Sequence, residues 1–456
     1  NSRSRRSIHG LIVKLKRANE KMTRQIKRLG MLVACALLLA SCSSTPPKSL
    51  VTPLPPVAKR PLPNENDHNQ QPMRGVWLAT VSRLDWPPIA SVNVSDPRVR
   101  NAQQQKALTD KLDKLKSLGI NTVFFQVKPD GTALWPSKIL PWSDTLTGKV
   151  GVDPGYDPLL FMLDEAHKRG MKVHAWFNPY RVTTNTKPST VAELNRTVSY
   201  NPASVFVLHR DWIRTASDRF VLDPGIPEAR DWITSIVAEV VARYPVDGVQ
   251  FDDYFYAETS ASALNDSQTF QKYGGGFSSK ADWRRHNTQQ LIEQVSRTIK
   301  QLNPNVEFGV SPAGVWRNRS HDPLGSETSG AAAYDEAFAD TRLWVQKGLL
   351  DYIAPQVYWP FSRKAARYDV LAKWWAEVVK PTNTRLYIGV ALYKVGEHSK
   401  NEPDWTVNGG VPELKKQLDL NESVPHIDGT ILFREDYLNQ PQAQEAVSYI
   451  KSRWGT

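Results

Sequence analysis

From residue 73 to the C-terminus, eight short runs rich in Val, Ile, Phe and Tyr alternate with longer segments of helical periodicity. That alternation constrains the fold more than any other feature of the chain. The strand runs are Arg74–Val81, Asn121–Val127, Lys172–Pro179, Asp247–Phe255, Glu307–Pro312, Asp351–Trp359, Leu386–Tyr393 and Gly429–Tyr437. Apolar residues recur three and four apart in Gln103–Leu118, Pro158–Arg169, Glu228–Tyr244, Trp283–Leu302, Asp335–Lys347, Tyr368–Val379, Val411–Leu418 and Ala443–Ser452, the signature of helices with one buried face. Glycine follows several of these segments, as in Leu118-Gly119, Arg169-Gly170 and Lys347-Gly348, where a helix has to stop before a strand. Eight such units predict an α/β fold, a single (β/α)8 TIM barrel spanning 73–456.

In that fold, strand C-termini and the loops after them build the site. The fourth run, Asp247-Gly-Val-Gln-Phe-Asp-Asp-Tyr-Phe-Tyr256, ends in adjacent carboxylates among aromatics. Side chains alternate along a strand, so Gln250, Asp252 and Tyr254 share the face expected to look into the barrel mouth. Asp253 is aimed outward unless the strand bulges. The plainer reading is that both acids cap a turn. Other strand ends are also polar and aromatic: Gln126-Val-Lys-Pro-Asp130, then His174, Trp176 and Asn178 on one face of the third run, followed by Tyr180 and Arg181. Ser311-Pro with Trp316 beyond, Gln356, Tyr358 and Trp359, and Phe433-Arg-Glu-Asp-Tyr437 complete the set.

The nine His show no metal-ligand spacing, Gly274-Gly-Gly276 lacks the lysine and helix start of a phosphate loop, and no serine sits in a nucleophile elbow. No metal or cofactor is therefore expected. Carboxylates, amides and flat rings remain, which are the parts that glycosidic bond cleavage uses. The candidate catalytic acids are Asp252 with Asp253, or Asp252 with Glu435 across the barrel. Glu435 is equally readable as an ion-pair partner of Arg434 or Arg181.

The formal charge of +12 does not indicate a nucleic-acid partner. Ten of the 58 Lys and Arg but only one of the 46 Asp and Glu fall in residues 1–41, so the rest carries 48 against 45, a net of +3. The only cysteines, Cys35 and Cys42, are also near the start, so the body has no disulfide of its own. Residues 22–41 combine a basic start (Arg24, Lys27, Arg28) with an apolar run too short to span a bilayer comfortably, as in a secretory signal. Their end, Leu39-Ala-Ser-Cys42, resembles the bacterial lipobox, which implies a lipidated Cys42. Ser43 after it points to the outer membrane, with the body facing the periplasm. Residues 1–21 are expected to be an upstream extension ahead of Met22, and 42–72, rich in Pro, Asn and Gln, a flexible tether.

Six motifs in order carry a resemblance: Met73-Arg-Gly-Val-Trp-Leu-Ala-Thr, Phe125-Gln-Val-Lys-Pro-Asp-Gly, Trp176-Phe-Asn-Pro-Tyr-Arg, Leu222-Asp-Pro-Gly, Asp247-Gly-Val-Gln-Phe-Asp-Asp-Tyr and Gly309-Val-Ser-Pro-Ala-Gly-Val-Trp-Arg. Together they resemble the glycosyl-hydrolase-like family of bacterial envelope barrels. The resemblance implies hydrolysis of peptidoglycan glycan strands between MurNAc and GlcNAc, with denuded, peptide-free strands preferred. The fourth run is also similar to the catalytic strand of chitinase-type barrels, but Tyr254 stands where those carry glutamate. A substrate-assisted mechanism is thereby disfavoured, and Asp252 or Asp253 becomes the expected essential acid. Gln356, Tyr358 and Tyr254 are expected to hold the reacting sugar, and Trp176, Trp316 and Trp359 to line subsites. The alternative is a non-catalytic glycan-binding lipoprotein on the same barrel.

Overall fold

The computed structural model describes residues 19–25, 71–256 and 264–455. Cys42 and nearly all of the leader and tether fall outside the described residues. The body is a closed barrel of eight parallel strands. In chain order the strands are β1 (Met73–Leu78), β2 (Thr122–Lys128), β3 (Lys172–Phe177), β6 (Gly248–Phe251), β7 (Glu307–Val310), β8 (Tyr352–Ile353), β9 (Arg385–Ala391) and β10 (Gly429–Phe433), with β1 closing on both β2 and β10. The labels β4 (Ile213–Ala216) and β5 (Arg219–Leu222) belong to an antiparallel hairpin outside the barrel.

Eight helices alternate with the barrel strands: α1 (Pro97–Ser117), α2 (Pro158–Lys168), α3 (Pro227–Arg243), α4 (Lys280–Leu302), α5 (Thr341–Gln346), α6 (Tyr368–Val379), α7 (Val411–Ser423) and α8 (Gln444–Trp454). Local chemistry sets their ends. Asp96, Asp157, Ser279 and Asp340 accept from backbone N–H groups at the starts of α1, α2, α4 and α5. Gly119 and Gly170, at φ +78 and +71, take the left-handed turn that lets the chain leave α1 and α2.

Strand alternation sorts the side chains cleanly. Val76, Leu78, Val123, Phe125, Val249, Phe251 and Phe308 point out to the helices and join the main core. Trp77, Phe124, Trp176, Tyr352, Tyr387 and Ile431 point in and form a second cluster that plugs the barrel. Inward glycines make room for these rings: a Cβ on Gly248 would lie 2.3 Å from the His174 ring, and one on Gly309 would lie 2.2 Å from that of Tyr352. Polar atoms inside the plug are paired, with Trp77 Nε1 donating to Gln250 Oε1 (2.6 Å), Gln250 Nε2 to the Tyr352 hydroxyl (3.2 Å), and His174 Nδ1 2.9 Å from that hydroxyl.

Four expected elements differ. The fourth run leaves the ladder after Phe251, not Phe255, and the eighth turns into a 3-10 helix, Glu435–Asn439, after Phe433. The sixth is strand only at Tyr352–Ile353, because Pro355 has no N–H to give; Gln356 then bridges to Ala313 and Gly389 on either side. The helix expected over Asp335–Lys347 is interrupted where Phe338 adopts φ +51, and α5 restarts under the Asp340 cap.

Candidate active site

Asp252 is the first residue past β6, and its position follows from strand parity: Gly248 and Gln250 face the plug, so the next inward residue emerges at the rim. The carboxyl is 5% exposed. Trp176 Nε1, from the end of β3, donates to Oδ2 at 3.0 Å, and the Tyr254 N–H donates to Oδ1 at 3.3 Å. Burial over the aromatic plug, and next the carboxylate of Asp253, push Asp252 up to about 7.

Asp253 does not point outward, contrary to strict alternation, because pairing stops at Phe251 and residue 253 is no longer pleated. It shares the rim with Asp252. Burial raises its pKa too, opposed in turn by the Gln356 amide, Arg181 and Arg219. Two carboxyls side by side in a dry mouth do not both ionise readily, so the pair retains a proton near neutrality.

The loop after β3 is held from two directions. Below it, the Lys128 ammonium, buried at the end of β2, donates to the carbonyls of Asn178 (2.7 Å), Pro179 (3.4 Å) and Arg181 (3.4 Å). Burial drives Lys128 down to about 7, against the attraction of Asp130 and Asp252. Beside it, β5 pairs with the loop through Val182 N to Phe220 O and Leu222 N to Tyr180 O, each 2.8 Å. The β4–β5 turn is Ser217-Asp218, both at positive φ, as tight hairpins require. This hairpin brings Arg219 to the rim. Two guanidiniums lie over the Tyr254 ring, with Cζ of Arg181 4.5 Å and that of Arg219 5.2 Å from its centroid.

On the opposite wall, Tyr358 stacks on Phe433 (5.5 Å between centroids, 22° between planes) and meets the edge of Tyr393 at 5.7 Å. It lies near enough to Asp253 for that charge to help raise its hydroxyl pKa. Gln356 Nε2 donates to the Ser311 carbonyl at 3.0 Å. Trp359 is partly buried against the main core, with its backbone carbonyl accepting from Gln417.

Two sequence-predicted site residues, Glu435 and Trp316, have other employment, and a third, Tyr180, is nearly covered. Glu435 is 1% exposed and receives Lys111 Nζ of α1 at 2.6 Å, so it is a buried ion-pair member, with neither Arg434 nor Arg181 as partner. Arg434 instead pairs with Asp85. Trp316 is 4% exposed, donates to Asp340 at 2.9 Å and stacks on Trp374, so it braces the aspartate that caps α5 and offers no open sugar platform. Tyr180 is 2% exposed, lining a cleft beside Asn178 and Arg181 with only its edge. Sequence reasoning did not select two contributors. Lys128 carries a detectable signal, an ionisable side chain at inward parity on a strand. Arg219 carries none beyond the paired turn residues of its hairpin.

Comparison with known proteins agrees with this architecture. The family described as glycosyl hydrolase-like 10 matches residues 72–407. A relative from Escherichia coli (strain K12), glycosyl hydrolase DigH, is 75% identical over 438 residues, covering 96% of this chain and 99% of its own. Glycosyl hydrolase YngK from Bacillus subtilis is 42% identical over 378 residues, 82% of this chain and 70% of its own. Among solved structures, the PgaB (BpsB) glycoside hydrolase domain from Bordetella bronchiseptica aligns over 83% of this chain and 98% of its own, with a TM-score of 0.47 at 16% identity.

Proposed function

The chain belongs to the glycosyl hydrolase-like 10 family, and from that membership we propose that it hydrolyses the glycan strands of peptidoglycan, preferentially strands stripped of their stem peptides. The observation that carries the reading is the proton-sharing pair Asp252 and Asp253 at the C-terminal rim of β6. A carboxyl pushed toward neutrality is a proton donor at working pH. Asp252, with its oxygens fixed by Trp176 and the Tyr254 N–H, delivers its proton to the glycosidic oxygen. Asp253, facing Gln356 and two arginines, keeps the negative charge and acts at the anomeric carbon, as base toward water or as nucleophile. Tyr254, 41% exposed beside the acids, supplies an aromatic ring for sugar contact, and Tyr358 stands on the opposite wall near Asp253.

Attachment to the outer membrane through a lipidated Cys42 belongs to the same reading, with the 42–72 segment as spacer. Replacing Cys42 with serine is expected to move the protein from the membrane fraction to the soluble fraction.

The test is digestion of purified peptide-free and peptide-bearing glycan strands, with the released ends identified by mass spectrometry. Hydrolysis adds one water per cut and leaves reducing ends. Asp252→Asn is expected to bind strands and release nothing. Product release by Asp252→Asn at the wild-type rate, or cuts that add no water, would refute the assignment.

A further inference from the structure

We infer that Arg181 and Arg219 form a receptor for a carboxylate borne by the substrate, the free lactyl carboxylate of peptide-free muramic acid, and that this contact is what makes the site select stripped strands. The inference rests on the glycan-strand reading above and gives it a physical basis for specificity.

Arg181 is 6% exposed, yet among the described residues no carboxylate stands within ion-pair distance of its guanidinium; its side-chain hydrogen bond is a long one, 3.4 Å to the Pro129 carbonyl. Elsewhere in the body Arg284 pairs with Asp266, Arg434 with Asp85, and Arg453 with Asp419 and Glu422. Arg100, 8% exposed and also without a contacting acid among the described residues, is held instead by a short bond of 2.7 Å to the Pro154 carbonyl and another to the Asn101 side-chain oxygen. A guanidinium withdrawn from water without a contacting anion is costly, and an arriving anion recovers that cost. Arg219 lies over the same Tyr254 ring as Arg181, also without an ion pair among the described residues, and both cations act on Asp253 only through space.

The cleft between them is unfinished in a second respect. It is lined by Asn178 and Tyr180, and the buried Asn178 Nδ2 and Tyr180 hydroxyl have no hydrogen-bond partner among the described residues. Such groups call for a polar occupant. Arg181, Arg219, Asn178 and Tyr180 line one cleft with the apolar Val221 and Leu222, a lining that suits a small carboxylate next to a methyl group. That is the lactyl ether of muramic acid. When a stem peptide is attached, the same carboxylate becomes a neutral amide with a chain on it, and both charge and room are lost. Strands of GlcNAc alone carry no such group.

The experiment compares three substrates: peptide-free strands, the same strands with their lactyl carboxylates converted chemically to methylamides, and peptide-bearing strands. Wild-type protein is expected to cleave the free-carboxylate strands about ten- to a hundredfold better, by kcat/KM, than the methylamide strands, the range of one charge-assisted hydrogen-bonded contact. In Arg219→Gln, and in Arg181→Gln where it folds, that ratio is expected to fall close to one through a raised KM on the free-carboxylate strands. A purely electrostatic effect of the arginines on the Asp252–Asp253 pair would slow both substrates equally and leave the ratio unchanged. An unchanged ratio in Arg219→Gln, or a wild type indifferent to methylamidation, overturns the inference while leaving the hydrolase reading in place. A wild type that cuts none of the three substrates overturns that reading, and this inference with it.

Discussion

Asp252→Asn is expected to stabilise the protein while silencing it, by an amount that depends on pH. The carboxyl ordinarily ionises near 3.8 and in the folded barrel near 7. Its folded-state value is raised, so the folded protein holds a proton that the unfolded chain releases in this interval. Stability is therefore lost as pH climbs from about 4 toward 7, and by pH 8 the whole cost has been incurred. Three units at about 1.36 kcal/mol each set a ceiling of about 4 kcal/mol at pH 8, falling to about 2 kcal/mol at pH 5. Sharing of the ionisation with Asp253 lowers both figures. Asparagine removes the titrating group but keeps its shape, and it no longer sets a second charge against that of Asp253. For a body of this size, unfolding entropy scaled per residue converts the gain to a Tm increase of about 2–5 °C at pH 8 and about half that at pH 5. Thermal melts of the two proteins at both pH values, followed by circular dichroism, measure it. An equal Tm difference at pH 5 and pH 8, or a destabilised variant at pH 8, would refute the claim that this acid is held against its ionisation.

Trp176→Phe removes the donor to Asp252 Oδ2, a bond that favours the carboxylate; the acid's pKa should rise and the alkaline limb of the pH–rate profile should move up by about half to one unit, read from kcat/KM between pH 5 and 9. Glu435→Gln strands the Lys111 ammonium, so denaturant melts should show a loss of about 2–4 kcal/mol while kcat of the folded fraction is retained; a kcat collapse would return Glu435 to the catalytic set. Gly248→Ala drives a methyl to 2.3 Å from a His174 ring that is packed against Phe124 and Tyr352, and should cost at least about 2 kcal/mol, checked by urea denaturation.

What could be read from the chain alone was whatever a period of two or 3.6 controls. Parity put Gln250 and Asp252 on the inner face, and His174 and Trp176 opposite, because those residues sit on or at the end of paired strands. The same rule failed where pairing ended. Asp253 and Glu435 both lie beyond the last ladder residue: extending the alternation aims Asp253 outward, the reverse of what the chain does, and the polar end of the eighth run offers Glu435 as an acid across the barrel when the chain buries it in an ion pair. Glu435 depends on Lys111, 324 positions away, a separation at which no local pattern carries information. Trp316 was read as a platform on composition, but a tryptophan N–H that finds a helix-capping aspartate is more stable as a buried strut. Arg219 reaches the rim only because a hairpin inserted after β3 pairs with the 180–182 backbone, a contact set by tertiary structure.

The chemistry of the rim follows from what lies beneath it more than from any one neighbour. Rings from β1, β2, β3, β8 and β9 close the barrel below Asp252, and inward glycines on β6 and β7 let those rings meet. With the floor sealed, burial is the leading influence on three ionisable groups above it: Asp252 and Asp253 are raised, and Lys128 is lowered. Acid and base are thereby brought toward the same pH range by a single cause, which a surface constellation of the same residues would not achieve. Lys128 converts its part of that arrangement into geometry, since an ammonium with no carboxylate in contact among the described residues is left to bind the three carbonyls that shape the loop carrying Asn178, Tyr180 and Arg181. The glycines of the plug and the acids of the rim are thus one functional unit, and a substitution that admits water under Asp252 should return both carboxyls toward ordinary acidity without touching either of them.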